Sequence, residues 1–159
     1  HLNPAVSIYF YSRKEISLKE LLGYIVAQIL GGLFGAWIGL TIWGKAASFT
    51  SGNASAGAII GELFATGGLV FLVGYLAANK LGNLIPAAVG LWVMAAAGFT
   101  ITGAQANPAV TLGLMFSGRL TINDGGMLVI AQLVGIVVAM AVINLLTRAT
   151  GKKKATKKK

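Results

Sequence analysis

Cysteine is absent from this chain, histidine occurs once, and aspartate and glutamate together occur four times in 159 residues. Without cysteine there is no disulfide framework, no thiolate chemistry and no cysteine metal site. One histidine and four acids leave no nucleophile–base pair and no metal cluster, so an enzyme is not expected, and neither is a cofactor. Charge of either sign is scarce at 11%, against about 25% in soluble domains. From Leu81 to Gly118 there is none. With 56% apolar residues and a mean hydropathy of +0.78, the chain is built to be solvated by lipid.

Four segments are long and apolar enough to cross a bilayer, which takes about 20 helical residues: Leu21–Trp43, Ala58–Ala78, Leu84–Ala104 and Gly126–Thr147. Gly44–Ser55, Asn79–Asn83 and the turn at Asn123-Asp124-Gly125 read as loops. Ser17 with Glu20 and Thr121 with Asp124 read as capping boxes at the starts of two spans. Two more segments, Asn3–Tyr11 and Asn107–Ser117, are apolar but cover only about half a hydrocarbon core at about 1.5 Å per residue. A half-length helix in a membrane is re-entrant, tolerated where it is buried in protein or lines a water-filled cavity.

Both short segments open on the same tripeptide, Asn3-Pro4-Ala5 and Asn107-Pro108-Ala109, and the chain matches itself without a gap at a shift of 104 residues. Gln28 falls on Gln132 and the Ser17 box on the Thr121 box; over residues 3–44 seven positions are identical. Internal repeats in hydrophobic chains suggest a channel or transporter with a pseudo-two-fold axis. Three spans separate the two half-helices, an odd number, so the repeat is inverted. Alternating spans put eleven of the thirteen basic residues on one side, leaving Lys45 and Arg119 on the other. The lysine bias makes that first side cytoplasmic and carries the C-terminus with it. The lysine tail, Lys152–Lys159, reads as a solvated tail able to meet anionic lipid headgroups. No folded basic face or aromatic platform accompanies it, so nucleic acid is not an expected partner.

Asparagine followed by proline is a helix start. The asparagine oxygen accepts a free N–H of the first turn, and proline loses nothing where its missing N–H would be unpaired. Two such starts on inverted half-helices bring two positive helix ends together near the bilayer midplane. With each oxygen occupied in capping, the amide N–H groups of Asn3 and Asn107 remain free to donate into a pore. Such a pore favours uncharged, acceptor-bearing solutes and opposes cations and protons.

In these residues the chain resembles the aquaporin and glycerol-facilitator (major intrinsic protein) family. His1-Leu2-Asn3-Pro4-Ala5-Val6 is similar to its first signature, and Ile101-Thr102-Gly103-Ala104-Gln105-Ala106-Asn107-Pro108-Ala109 to the approach to its second. The resemblance implies an all-α inverted-repeat bundle, here of four spans and two re-entrant half-helices. It implies Asn3 and Asn107 as pore donors, with Pro4, Ala5, Pro108 and Ala109 in the half-helix caps. Glu62 looks like the family's buried glutamate supporting a re-entrant loop, and His1 like its partner residue beside the pore. The narrow filter maps onto Ala95, Ala104 and Val110. Val110 stands where the family usually has arginine, so a wide, weakly polar constriction is expected, with Arg119 at the outer mouth. The family has six spans. The chain starts at His1, inside a motif, so two spans are expected ahead of it, and these 159 residues alone are not expected to seal a pore.

The resulting organisation is a first half-helix and span over 1–44, a second repeat over 45–148 and a basic cytoplasmic tail over 149–159. The function expected is a passive channel for water and small neutral solutes such as glycerol, excluding protons and ions. The resemblance further implies a homotetramer in the lipid bilayer of the plasma membrane. The contrasting reading is a non-conducting membrane protein that keeps the fold for packing or partner contacts. Three smaller expectations complete the set. Gly31, Gly35 and Gly39, with Gly57 and Gly61, should make tight helix contacts; Gln28 and Gln132 should bond between helices; Trp37, Trp43 and Trp92 should face lipid or the interface.

Overall fold

The structure is a computed structural model and describes residues 1–44 and 54–156, with side chains as far as Arg148. Lys45, most of the Gly44–Ser55 loop and the side chains of the lysine tail lie outside the described residues.

Among the described residues six α-helices follow one another: α1 (Pro4–Ser12), α2 (Leu18–Trp43), α3 (Ala56–Ala78), α4 (Ile85–Phe99), α5 (Pro108–Phe116) and α6 (Ile122–Thr156). Four stretches of the described residues are long and apolar enough to span a membrane: Leu18–Trp43, Ala56–Ala78, Gly82–Phe99 and Ile122–Arg148. The chain is an integral membrane helical bundle. α1 and α5 are the two half-helices, each nine residues long, or about 14 Å.

The helix starts follow from local chemistry. At α2 the Ser17 hydroxyl accepts the Glu20 N–H while the Glu20 carboxylate accepts the Ser17 N–H, a closed capping box. At α6 the Thr121 hydroxyl accepts the Asp124 N–H. One Asp124 carboxylate oxygen accepts the Thr121 hydroxyl and the other accepts the Ala54 N–H at 2.9 Å, tying the start of α6 to the approach to α3.

The third span ends five residues before the expected boundary. Its helix stops at Phe99, after a 3-10 turn over Gly82–Leu84. Thr100 adopts extended backbone, and its hydroxyl bonds back to the Ala96 carbonyl. Gly103, Ala104 and Ala106 then take positive φ angles of 70°, 56° and 45°. Ala104 therefore sits on a connecting segment, not on the span. α6 instead starts earlier than expected: Gly125 and Gly126 lie within it, and Gly125 leaves room for Met115, whose sulfur would lie 2.3 Å from an added Cβ.

α3 and α6 form the centre of the bundle, while α2 buries only Leu21 and α4 only Ala96. The central pair touches backbone to backbone: a Cβ on Gly135 would stand 2.5 Å from the Leu63 carbonyl oxygen. α2 meets α5 in the same way, through Gly32 against Ala109 and Gly113 against Gly32. These glycines differ from the expected ones. No described atom comes within 4 Å of a Cβ placed on Gly31, Gly35 or Gly39; Gly57 and Gly61 face Ile101 and Thr100 of the connecting segment instead of a helix. Trp37 and Trp43 are exposed. Trp92 is half-buried: its ring occupies the notch at Gly68, and its Nε1 donates to the Ala65 carbonyl at 2.8 Å.

Candidate functional site

Each half-helix begins on its asparagine. Asn3 Oδ1 accepts the Ala5 N–H at 2.9 Å and Asn107 Oδ1 accepts the Ala109 N–H at 3.0 Å, both from extended backbone, with proline at the first helical position. The other end of each carboxamide crosses to the opposite repeat. Asn3 Nδ2 donates to the Ala106 carbonyl at 2.7 Å, and Asn107 Nδ2 to the Leu2 carbonyl at 3.1 Å. Ala106 and Leu2 are equivalent under the 104-residue shift, so the two bonds form a pseudo-symmetric clasp. This corrects one sequence-based expectation: one N–H of each amide holds the helix starts together, which leaves one apiece for anything between them.

The clasp is braced by a buried carboxylate. Glu62 has no exposed surface. It accepts the Gln105 N–H at 2.9 Å, the Ala106 N–H at 2.8 Å, Gln132 Nε2 at 2.7 Å and the Thr102 hydroxyl. The positive φ angles flanking Gln105 turn two consecutive N–H groups toward one point, a nest that suits an anion. Left-handed backbone at alanine costs of order 1–3 kcal/mol per residue, and hydrogen bonds to a charged acceptor offset it.

The glutamines do bond between elements. Gln132 Nε2 donates to Glu62 and, at 2.9 Å, to the Thr111 hydroxyl, which in turn donates to Gln105 Oε1 at 2.7 Å. In the first repeat Gln28 Nε2 donates to the Ser7 hydroxyl at 3.0 Å and to the His1 carbonyl at 2.9 Å. Ser7 and Thr111 are repeat equivalents and both are fully buried. The His1 ring stacks on Phe10 and Tyr24, with centroids 4.6 and 4.9 Å apart.

One cavity takes in the clasp, and a second shares Ala104 and Gln105 with it. The first, about 570 Å³, is lined by His1, Asn3 and Asn107 together with apolar side chains of α3 and α4 such as Leu69 and Val89. The second, about 410 Å³, is lined by Thr102, Val110, Leu114 and Arg119. Ala104 and Gln105 line both. The structure thus brings Asn3, Asn107 and His1 to one cavity, and Val110 and Arg119 to the other, with Ala104 between. Ala95 is exposed on α4 and is not among the described residues lining either cavity. Gln105 was not singled out by the sequence reading. The signal available was its place beside the second asparagine, but its contact with both cavities exists only in three dimensions.

Comparison with known proteins shows which family the chain resembles. The family profile described as Major intrinsic protein matches residues 1–100 and, a second time, residues 54–159. An aquaglyceroporin of Toxoplasma gondii is 36% identical over 132 residues, covering 77% of this chain and 48% of that protein. Aquaporin TIP1-2 of Zea mays is 36% identical over 123 residues, covering 71% of this chain and 48% of its own length. Aquaglyceroporin AqpS of Rhizobium meliloti is 31% identical over 152 residues, covering 92% of this chain and 64% of its own length. The chain spans about half the length of the first two relatives.

Proposed function

The chain belongs to the major intrinsic protein family, and on that premise we propose that its protein is a passive membrane channel for water and small neutral solutes such as glycerol. The observation that carries the reading is the clasp: two half-helix starts joined through Asn3 and Asn107, both lining one cavity that meets a second at Ala104 and Gln105. A solute passing the clasp meets one remaining N–H on each asparagine and the positive ends of two half-helices. Oxygen acceptors are stabilised there, whereas a cation or a migrating proton meets repulsion from both directions. Glu62 acts as a support, holding the segment before Asn107 through its main-chain N–H groups.

Solute size is set further along. Val110 and Ala104 present only small apolar groups to the second cavity, so the constriction is wide enough for a polyol. The names of the relatives include both aquaporins and aquaglyceroporins, which fits a pore passing water and glycerol. In this reading the channel is a homotetramer in the plasma membrane with its C-terminus in the cytoplasm.

Stopped-flow swelling of liposomes carrying the full-length protein tests the proposal. Fast water and glycerol fluxes without proton leak are expected, and Val110→Arg should depress glycerol flux more than water flux. Water flux without glycerol flux rejects the wide constriction. No flux of either rejects the channel in favour of a structural role.

A further inference from the structure

We propose that Arg119 makes the second cavity a charge-selecting entrance, which concentrates small anions, leaves neutral solutes unaffected and turns small cations away before they reach the clasp. The proposal rests on the channel reading above, in that it treats this cavity as part of the solute path. Val110 and Arg119 line the same cavity of about 410 Å³, and Arg119 is the one charged residue among the described residues lining it. A sphere of that volume is about 9 Å across, close to the screening length of about 8 Å at physiological ionic strength. A charge in the wall is therefore felt throughout the cavity. It acts through space, so the effect needs no hydrogen bond aimed at the solute.

Two carboxylates lie in neighbouring elements, and both are occupied. Glu62 stands behind the segment that carries Thr102 and Gln105 into the cavity wall; it has no exposed surface and accepts four donors. Asp124, at the start of α6, is buried and accepts the Thr121 hydroxyl and the Ala54 N–H. Donor dipoles pointing at a carboxylate offset part of its field, and neither acid is among the described residues lining the cavity. The start of α5 adds to the positive side, because Val110 lies in its first turn, at the positive end of the helix.

The device belongs to one repeat. Under the 104-residue shift Arg119 falls on Glu15 and Val110 on Val6. Val6 lines the first cavity, but no lysine, arginine, aspartate or glutamate is among the described residues lining it. Charge selection is accordingly confined to the side of the second half-helix.

The test uses Val110 as a reporter, since it is 42% exposed and these 159 residues contain no cysteine. Val110→Cys is introduced into the full-length protein in liposomes, with the unsubstituted protein as background. Its reaction rates with a sulfonate-bearing and a trimethylammonium-bearing methanethiosulfonate reagent, present on both sides, are each divided by the rate with a free thiol. Any effect of Arg119 on the reactivity of that thiol is common to both reagents and cancels in their ratio. The anionic reagent should react faster than the cationic one. Adding Arg119→Gln should lower the ratio roughly threefold to tenfold, as for a unit charge acting on opposite probes across about 9 Å at high effective dielectric. Arg119→Lys should preserve it. If thermal unfolding in detergent shows that Arg119→Gln does not fold, Arg119→Met takes its place, with the same fall expected. An unchanged ratio on removing the charge, no reaction with either reagent, or an equal fall at Val6→Cys overturns this inference. The labelling needs no flux, so those outcomes leave the channel reading standing. Absence of water and glycerol flux through the unsubstituted protein rejects that reading, and the entrance role with it.

Discussion

Glu62 shows how much one buried side chain organises. Its four donors come from the connecting segment and from α6, and the two main-chain N–H groups of Gln105 and Ala106 have no other acceptor than this carboxylate. Glu62→Gln keeps the shape but places an NH2 group where an acceptor is required. At least one N–H of the segment before Asn107 then loses its partner, and the charge that strengthened the others is gone. The variant should lose roughly 2–4 kcal/mol of stability, since hydrogen bonds to charged groups are each worth about 1.5–3 kcal/mol. A thermal unfolding midpoint in detergent equal to that of the unsubstituted protein would show that the carboxylate is dispensable.

At the scale of elements, the two half-helices are held by close backbone contact as well as by the clasp. Gly32 lets α2 lie directly on the start of α5, where a Cβ would be 2.6 Å from the Ala109 carbonyl oxygen. Backbone cannot swing aside as a flexible side chain can, so Gly32→Ala must push α5 away from α2 and strain the bond from Asn107 to Leu2. The expected cost is about 2 kcal/mol. Gly90 on α4 is the control: no described atom lies within 4 Å of its added Cβ, and Gly90→Ala should shift stability by less than about 1 kcal/mol. Equal unfolding midpoints for the two variants would contradict the contact.

For the whole molecule, the inverted repeat makes a prediction about sidedness. Arg13, just past the end of α1, donates to Asn144 Oδ1 at 3.0 Å, which places the end of the first half-helix beside the later part of α6. Arg119 follows the second half-helix and lines the second cavity. If the lysine bias orients the protein, Lys80→Cys should react with a membrane-impermeant thiol reagent only from the cytoplasmic side and Arg119→Cys only from outside. These 159 residues contain no cysteine, so each label can be compared with the unsubstituted protein. Reaction of both from one side would refute the inversion.

The sequence by itself determined the helices, the register of the repeat and the positions of Asn3 and Asn107, because those depend on signals a few residues long: apolar runs, capping residues and proline after asparagine. Tertiary structure decided the rest. Which glycines touch could not be read from four-residue spacing, since contact at Gly32 and Gly135 depends on the direction from which α5 and α3 approach. The end of α4 at Phe99 was hidden inside an uncharged run, because the extended backbone at Thr100 ends the helix and the segment after it gives the N–H groups of Gln105 and Ala106 to a carboxylate 43 and 44 residues away. The sharing of each asparagine amide between cap and clasp, and the place of Gln105 at both cavities, needed the two repeats to be folded against each other. Local chemistry specifies elements; only their packing specifies which polar groups remain for a solute.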